Sequence, residues 1–154
     1  MARFRYRMQG ILDVKMKLEN QAKQEFAAAK AALDAEELKL EALRERKAGY
    51  EAETRALLTG ELNVQEIADS KAAILRMDEY IESQMLQVRN AARKLDAARE
   101  RLKEVMQERK MHEKLKENAF EEFLLDEKKQ EGKEVDELTS YTYGQRIKRA
   151  EEKV

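Results

Sequence analysis

The 154-residue chain contains no proline, no cysteine and no tryptophan. Proline is the strongest helix breaker, because it lacks an N–H and clashes with the preceding turn. Its absence leaves nothing to interrupt very long helices. Without cysteine there can be no disulfide, thiol nucleophile or thiolate metal site. Glycine is scarce too, at Gly10, Gly49, Gly60, Gly132 and Gly144, and aromatics make up only 6% of the residues. So few large apolar side chains suit a structure with one thin buried stripe rather than a multilayered core. No apolar run approaches the roughly 20 residues needed to span a bilayer. The basic start, M-A-R-F-R-Y-R-M, lacks the apolar stretch of a signal peptide.

What is abundant is charge, at 41% of residues, well above the usual quarter or so. Lys and Arg total 31 against 32 for Asp and Glu. That near-cancellation, together with periodic apolar residues, argues against a disordered polyelectrolyte. A net charge of −1 also lacks the basic excess of a nucleic-acid binder. Ala, Glu, Lys, Leu and Arg dominate, which is the composition of long helices and coiled coils.

The periodicity predicts an all-α fold, a single long two-helix antiparallel coiled-coil hairpin with a short mobile C-terminal tail. The first helix is placed at residues 3–58. Its apolar seam runs through Phe4, Met8, Ile11, Leu18 and Ala22, slips by one residue, then continues through Phe26, Ala29, Leu33, Leu40, Leu43, Tyr50 and Leu57. Spacings of three and four are those of a coiled-coil seam. The turn is placed at 59–63, where Gly60 can adopt a left-handed C-cap and Asn63 can cap the next helix with Glu66 as a capping-box partner. The second helix is placed at 64–131. Ile67, Ile74, Ile81, Val88, Leu95 and Leu102 recur every seven residues, and Met85, Ala92, Val105 and Met106 are assigned to the other seam positions, with His112, Leu115, Ala119 and Phe123 following. The hairpin is one domain over 1–131, with helices roughly 84 and 100 Å long at 1.5 Å per residue. Gly132 is expected to end the second helix and leave 132–154 as a tail, a short helix or disordered.

Folding the chain about residue 62 sets Leu57 opposite Ile67, Leu43 opposite Ile81, Phe26 opposite Ala98, and Phe4 opposite Phe120 and Phe123. Alanines at 22, 27–29, 31, 32 and 35 face those at 91, 92, 97 and 98, which predicts a narrow waist.

Chemistry is nearly absent. No phosphate-binding loop or catalytic signature occurs. The one histidine, His112, reads as a half-buried packing residue, and the carboxylates as a solvated face with i,i+4 Glu–Lys pairs. No enzyme, metal or cofactor is expected. Residues 1–17 carry five basic groups and one acidic, whereas 121–137 carry eight acidic and three basic. Two readings stand, charge complementarity between the helices and a charged docking surface where the termini meet. Leu58, Met77 and Tyr80 fall off the main stripe near the turn and are contact candidates, since aromatics are enriched in interfaces. Tyr141 and Tyr143 could anchor a partner or dock back.

The opening F-R-Y-R-M-Q-G-I-L (4–12), the stretch E-R-K-M-H-E-K-L-K-E-N-A-F-E-E-F (108–123) and E-K-K-Q-E-G-K-E-V-D-E-L (127–138) resemble the corresponding segments of the flagellar export protein family FliJ. The resemblance spans nearly the whole chain. It implies a non-enzymatic component of the flagellar type III protein export apparatus, serving flagellum biogenesis and hence motility and chemotaxis. It also implies a cytoplasmic location, peripherally associated with the inner face of the cell membrane at the flagellar base without insertion. The implied partners are the hexameric export ATPase FliI, the export gate protein FlhA and export chaperones. Carried onto this sequence, the ATPase-binding end comprises Phe4, Arg5, Arg7, Met8, Ile11, Leu115, Phe120 and Phe123. The gate-binding residues near the turn comprise Tyr50, Met77, Tyr80 and Gln84. The alternatives are the stalk protein of a virulence-type secretion system and a cytoplasmic coiled-coil scaffold or chaperone.

Overall fold

A computed structural model describes residues 2–153. Among them there are two helices and no strand, α1 (Gln9–Leu57) and α2 (Val64–Glu152). The two pack against each other as a helical hairpin.

The turn forms as its residue types dictate. At the end of α1, Thr59 Oγ1 donates to the Ala56 carbonyl at 2.8 Å, and Gly60 follows with φ of 99°. Only glycine enters that region without steric cost. Asn63 Oδ1 then accepts from the backbone N–H groups of Gln65 and Glu66 at 3.1 and 3.3 Å. These are orphan donors of the first turn of α2, and satisfying them is what an N-cap does. Glu66 thus takes part through its backbone.

Three helix boundaries and seam assignments differ from the sequence-based expectation. First, α1 begins at Gln9 rather than at residue 3. Arg3, Arg5 and Arg7 would put three cations on the positive end of a helix dipole. Residues 2–6 instead lack regular structure, and Phe4 packs onto two rings of α2.

Second, Gly132 does not end α2, which continues through Gly144 to Glu152. A glycine in a helix interior costs about 1 kcal/mol relative to alanine. That is no stop signal where neither a left-handed cap nor a proline follows. Residues 132–152 are therefore helix, exposed throughout.

Third, the seam does not slip. In α1 the sequestered positions run 12, 15, 19, 22, 26, 29, 33, 36, 40, 43, 47, 50, 54 and 57, an unbroken alternation of three and four. In α2 the same alternation runs from Ile67 to Phe123. The apparent slip arose because several seam positions are polar. Glu19 and Thr54 are buried, and Lys15, Glu36 and Lys47 are half-buried. Ile11 gives way to Leu12, Met85 to Gln84 and Leu115 to Lys116. Leu12 is 3% exposed against 43% for Ile11. The alanine cluster divides similarly. Ala22, Ala29, Ala91 and Ala98 lie on the seam with Ala92 half-buried beside it, while Ala27, Ala28, Ala31, Ala32, Ala35 and Ala97 are exposed and take no part in it.

The chain divides into two compact units, each using both helices: Met1–Lys17 with Gln107–Val154, and Leu18–Met106. In the second unit, Ala22, Leu40, Met77, Ala91, Leu95 and Val105 form the buried apolar stripe. Polar pairs cross that stripe. Lys47 Nζ lies 2.6 Å from Asp78 Oδ1. The Gln84 side-chain amide donates to both the Glu36 carbonyl and its carboxylate. The Thr54 and Ser70 hydroxyls bond one another. The Arg99 guanidinium sits over the Phe26 ring, 5.9 Å from its centroid. Every such pair straddles the turn at 59–63 nearly symmetrically, which is the register expected from folding about residue 62. Polar groups at seam positions select register and orientation because a slipped alignment would strand them unpaired.

Candidate functional site

The unit containing both chain ends holds the most developed surface. Phe4 meets Phe120 edge to face, with centroids 5.1 Å apart and planes at 66°. Its centroid lies 5.4 Å from that of Phe123. Such aromatic contacts add about 0.5–1.5 kcal/mol each beyond area burial. They tether the non-helical start of the chain to α2. Next to this cluster an open groove is lined by Gln9, Leu12, Met16, Glu113 and Lys116, with Phe4 and Phe120 at one end.

All eight residues expected at the ATPase-binding end fall in this unit. Phe4 and Phe123 are half-buried, and Arg5 and Arg7 are exposed. Met8, Ile11, Leu115 and Phe120 remain 40–45% exposed. They flank the seam instead of filling it, so they cover part of the core and still present apolar surface. Met16 and Met111, 45% and 61% exposed, belong to the same display and were missed. Each sits just beside a seam position, a placement that only the correct heptad frame reveals. An ion pair, Lys15 Nζ to Glu108 Oε2 at 2.8 Å, joins the two helices within this unit.

The four residues expected to bind near the turn do not form a common surface. Met77 is 7% exposed and occupies the seam, so it is a core residue rather than a contact. Gln84 is half-buried and bonded to Glu36, and Tyr50 is a half-buried seam residue. Only Tyr80, 56% exposed, is freely displayed, and Leu58, Leu62 and Val64 at the turn are more than half exposed.

Shifted ionisations mark the polar seam. The hydrogen bond from Gln84 holds the Glu36 carboxyl below its ordinary pKa, aided by Lys39. The hydrogen bond to Asp78 raises the Lys47 ammonium above its own. Each shift has its largest cause in a hydrogen bond between the two helices, which is the mark of structural pairing. His112 occupies a half-buried seam position, with Nδ1 enclosed and unpartnered. Among the described residues no cluster of His, Asp and Glu is arranged to hold a metal ion. No helix among them is long and apolar enough to cross a membrane.

A two-helix hairpin that pairs through one seam and leaves aromatic and methionine side chains partly exposed beside it defines the class of coiled-coil hairpin proteins. The sequence profile of the Flagellar FliJ protein family matches residues 4–148, and the chain belongs to that family, one of coiled-coil proteins of flagellar type III export. A solved structure from Chlamydia trachomatis, described as a homolog of YscO, superposes with a TM-score of 0.73 at 21% identity, covering 92% of this chain and 96% of that one. At that identity the likeness shows the shared fold. No curated protein matches the chain.

Proposed function

We propose that this protein is a non-enzymatic stalk of the flagellar type III export apparatus, which binds the hexameric export ATPase through the unit containing its two ends. The observation that carries this reading is the Phe4–Phe120–Phe123 cluster with Met8, Ile11, Met16 and Leu115 partly exposed around it. Apolar groups that remain partly uncovered in the monomer are what a ring of partner subunits can bury. Arg5 and Arg7 beside them add charge for acidic positions in such a ring. A ligand that binds the assembled ring better than its separate subunits promotes assembly by mass action, so hydrolysis by the ATPase rises although this chain hydrolyses nothing. Links to the export gate protein and to export chaperones, at the cytoplasmic face of the membrane, complete the proposal. For the gate, Tyr80 and the apolar turn residues Leu58, Leu62 and Val64 are the surface on offer.

The test is to titrate the protein into the cognate export ATPase and measure turnover and sedimentation together. Stimulation with a shift to hexamer is expected, and Phe120→Ala should weaken both. Unchanged turnover with no complex at any ratio would rule the stalk role out.

A further inference from the structure

Beyond Phe123 α2 continues for more than twenty residues, and from residue 128 to 153 no described residue is even half-buried. A solitary helix of that length is marginal in water, since most helical stability comes from packing an amphipathic face. This one has such a face. Val135, Leu138, Thr139, Thr142, Tyr143 and Arg146 line a shallow groove along one side, and Val135, Leu138 and Tyr143 are 60–66% exposed.

The charges around the groove are polarised. Residues 126–137 carry six acidic and three basic side chains, residues 138–144 carry none, and residues 145–150 carry three basic and no acidic ones. On the grooved side, Glu131 lies one turn before Val135, and Arg146 lies one turn after Thr142. Such a layout is self-complementary in one orientation only. Set antiparallel about residue 139, two copies bring Glu131 of each against Arg146 of the other. The same alignment brings Val135 of each against Tyr143 of the other, with the two Leu138 side chains near the centre. Set parallel, they oppose acid to acid and base to base, which disfavours association.

We infer that the exposed end of α2 is a self-association surface, whose occupant is the same segment of a second copy in an antiparallel, two-fold arrangement. A two-fold contact repeats each interaction, so the Glu131–Arg146 pair occurs twice. Two single helix faces bury less than the ~1,600 Å² of a standard interface, so the dimer forms at about micromolar concentration or weaker.

The chain has no cysteine, which makes introduced thiols unambiguous reporters. Full-length V135C and Y143C chains, mixed and treated with a short thiol-specific crosslinker, should give several-fold more dimer than either alone. Sedimentation of the unsubstituted chain should show a concentration-dependent rise in mass that weakens with salt. Glu131→Lys and Arg146→Glu should each weaken association about tenfold, allowing for two exposed pairs converted to repulsion. An equimolar mixture of the two should recover most of it, and circular dichroism would confirm that each variant keeps its helix. A monomer at every concentration would overturn the inference. So would V135C alone crosslinking as well as the mixture, or charge variants that fail to rescue each other. Sedimentation of a complex only when another protein is added would also overturn it, because that identifies a different occupant.

Discussion

Met77 and Met85 lie eight residues apart on α2 and have the same side chain, so exchanging each for alanine isolates the effect of seam position. Met77 is 7% exposed and Met85 is 41% exposed. Burying a methionine contributes about 1.5–3 kcal/mol. Met77 holds nearly all of that, and Met85 little more than half. Truncating Met77 also leaves a void between the helices, and buried Met→Ala changes cost about 2–5 kcal/mol in all. A seam one layer thick can partly close over the gap, which favours the lower half of that range, so Met77→Ala should cost about 2–3 kcal/mol. Met85→Ala should cost about 1 kcal/mol or less, because the site stays open to water and alanine is the better helix former. With about 2–4 °C per kcal/mol for a chain of this size, Met77→Ala should lower Tm by roughly 5–10 °C. Urea and thermal unfolding followed by helix circular dichroism would measure both. Equal costs, or a larger cost at Met85, would refute the heptad frame and every seam assignment made from it.

Gly60→Ala should destabilise the hairpin by about 1 kcal/mol, through a φ of 99° that a Cβ strains without any clash; differential scanning calorimetry would show it. Phe4→Ala removes both ring contacts of the chain start and should free residues 2–8, raising their amide exchange while leaving exchange in the second unit unchanged. Glu36 has its pKa lowered in the folded state by Gln84, so its contribution is present above the unfolded carboxylate pKa and is lost as pH falls through the folded value. Gln84→Ala should flatten that acid limb of the stability profile. Lys47 has its pKa raised by Asp78, so its contribution is present below the unfolded lysine pKa and is lost as pH rises through the folded value. Asp78→Asn should remove that alkaline limb.

Most of the fold was legible because it rests on local rules. A chain without proline and with one cluster of turn residues at 59–63 folds back there, and residues spaced by three and four meet across the fold. Phe4 against Phe120 and Phe123 was readable from chain symmetry about that turn. The eight residues assigned to the ATPase-binding end came from resemblance to a family, and the structure gathers them into one unit. What was not legible was which of two adjacent residues faces inward. Counting apolar residues alone chose Ile11, Met85 and Leu115 over Leu12, Gln84 and Lys116, and left Met77 outside.

The sequence by itself determined that two helices form, the turn between them and their register, though not where α1 begins or α2 ends, because backbone propensity and apolar spacing act over a few residues. Only the tertiary structure decided that Glu19, Glu36, Lys47, Thr54 and Gln84 belong to the seam. A polar side chain is tolerated there when a partner on the same or the facing helix satisfies it, and that partner lies up to 48 residues away in the Gln84–Glu36 bond. Tertiary structure also decided which residues beside the seam, such as Met16 and Phe120, remain partly uncovered. Exposure is a property of two helices together, and no pattern along one of them contains it.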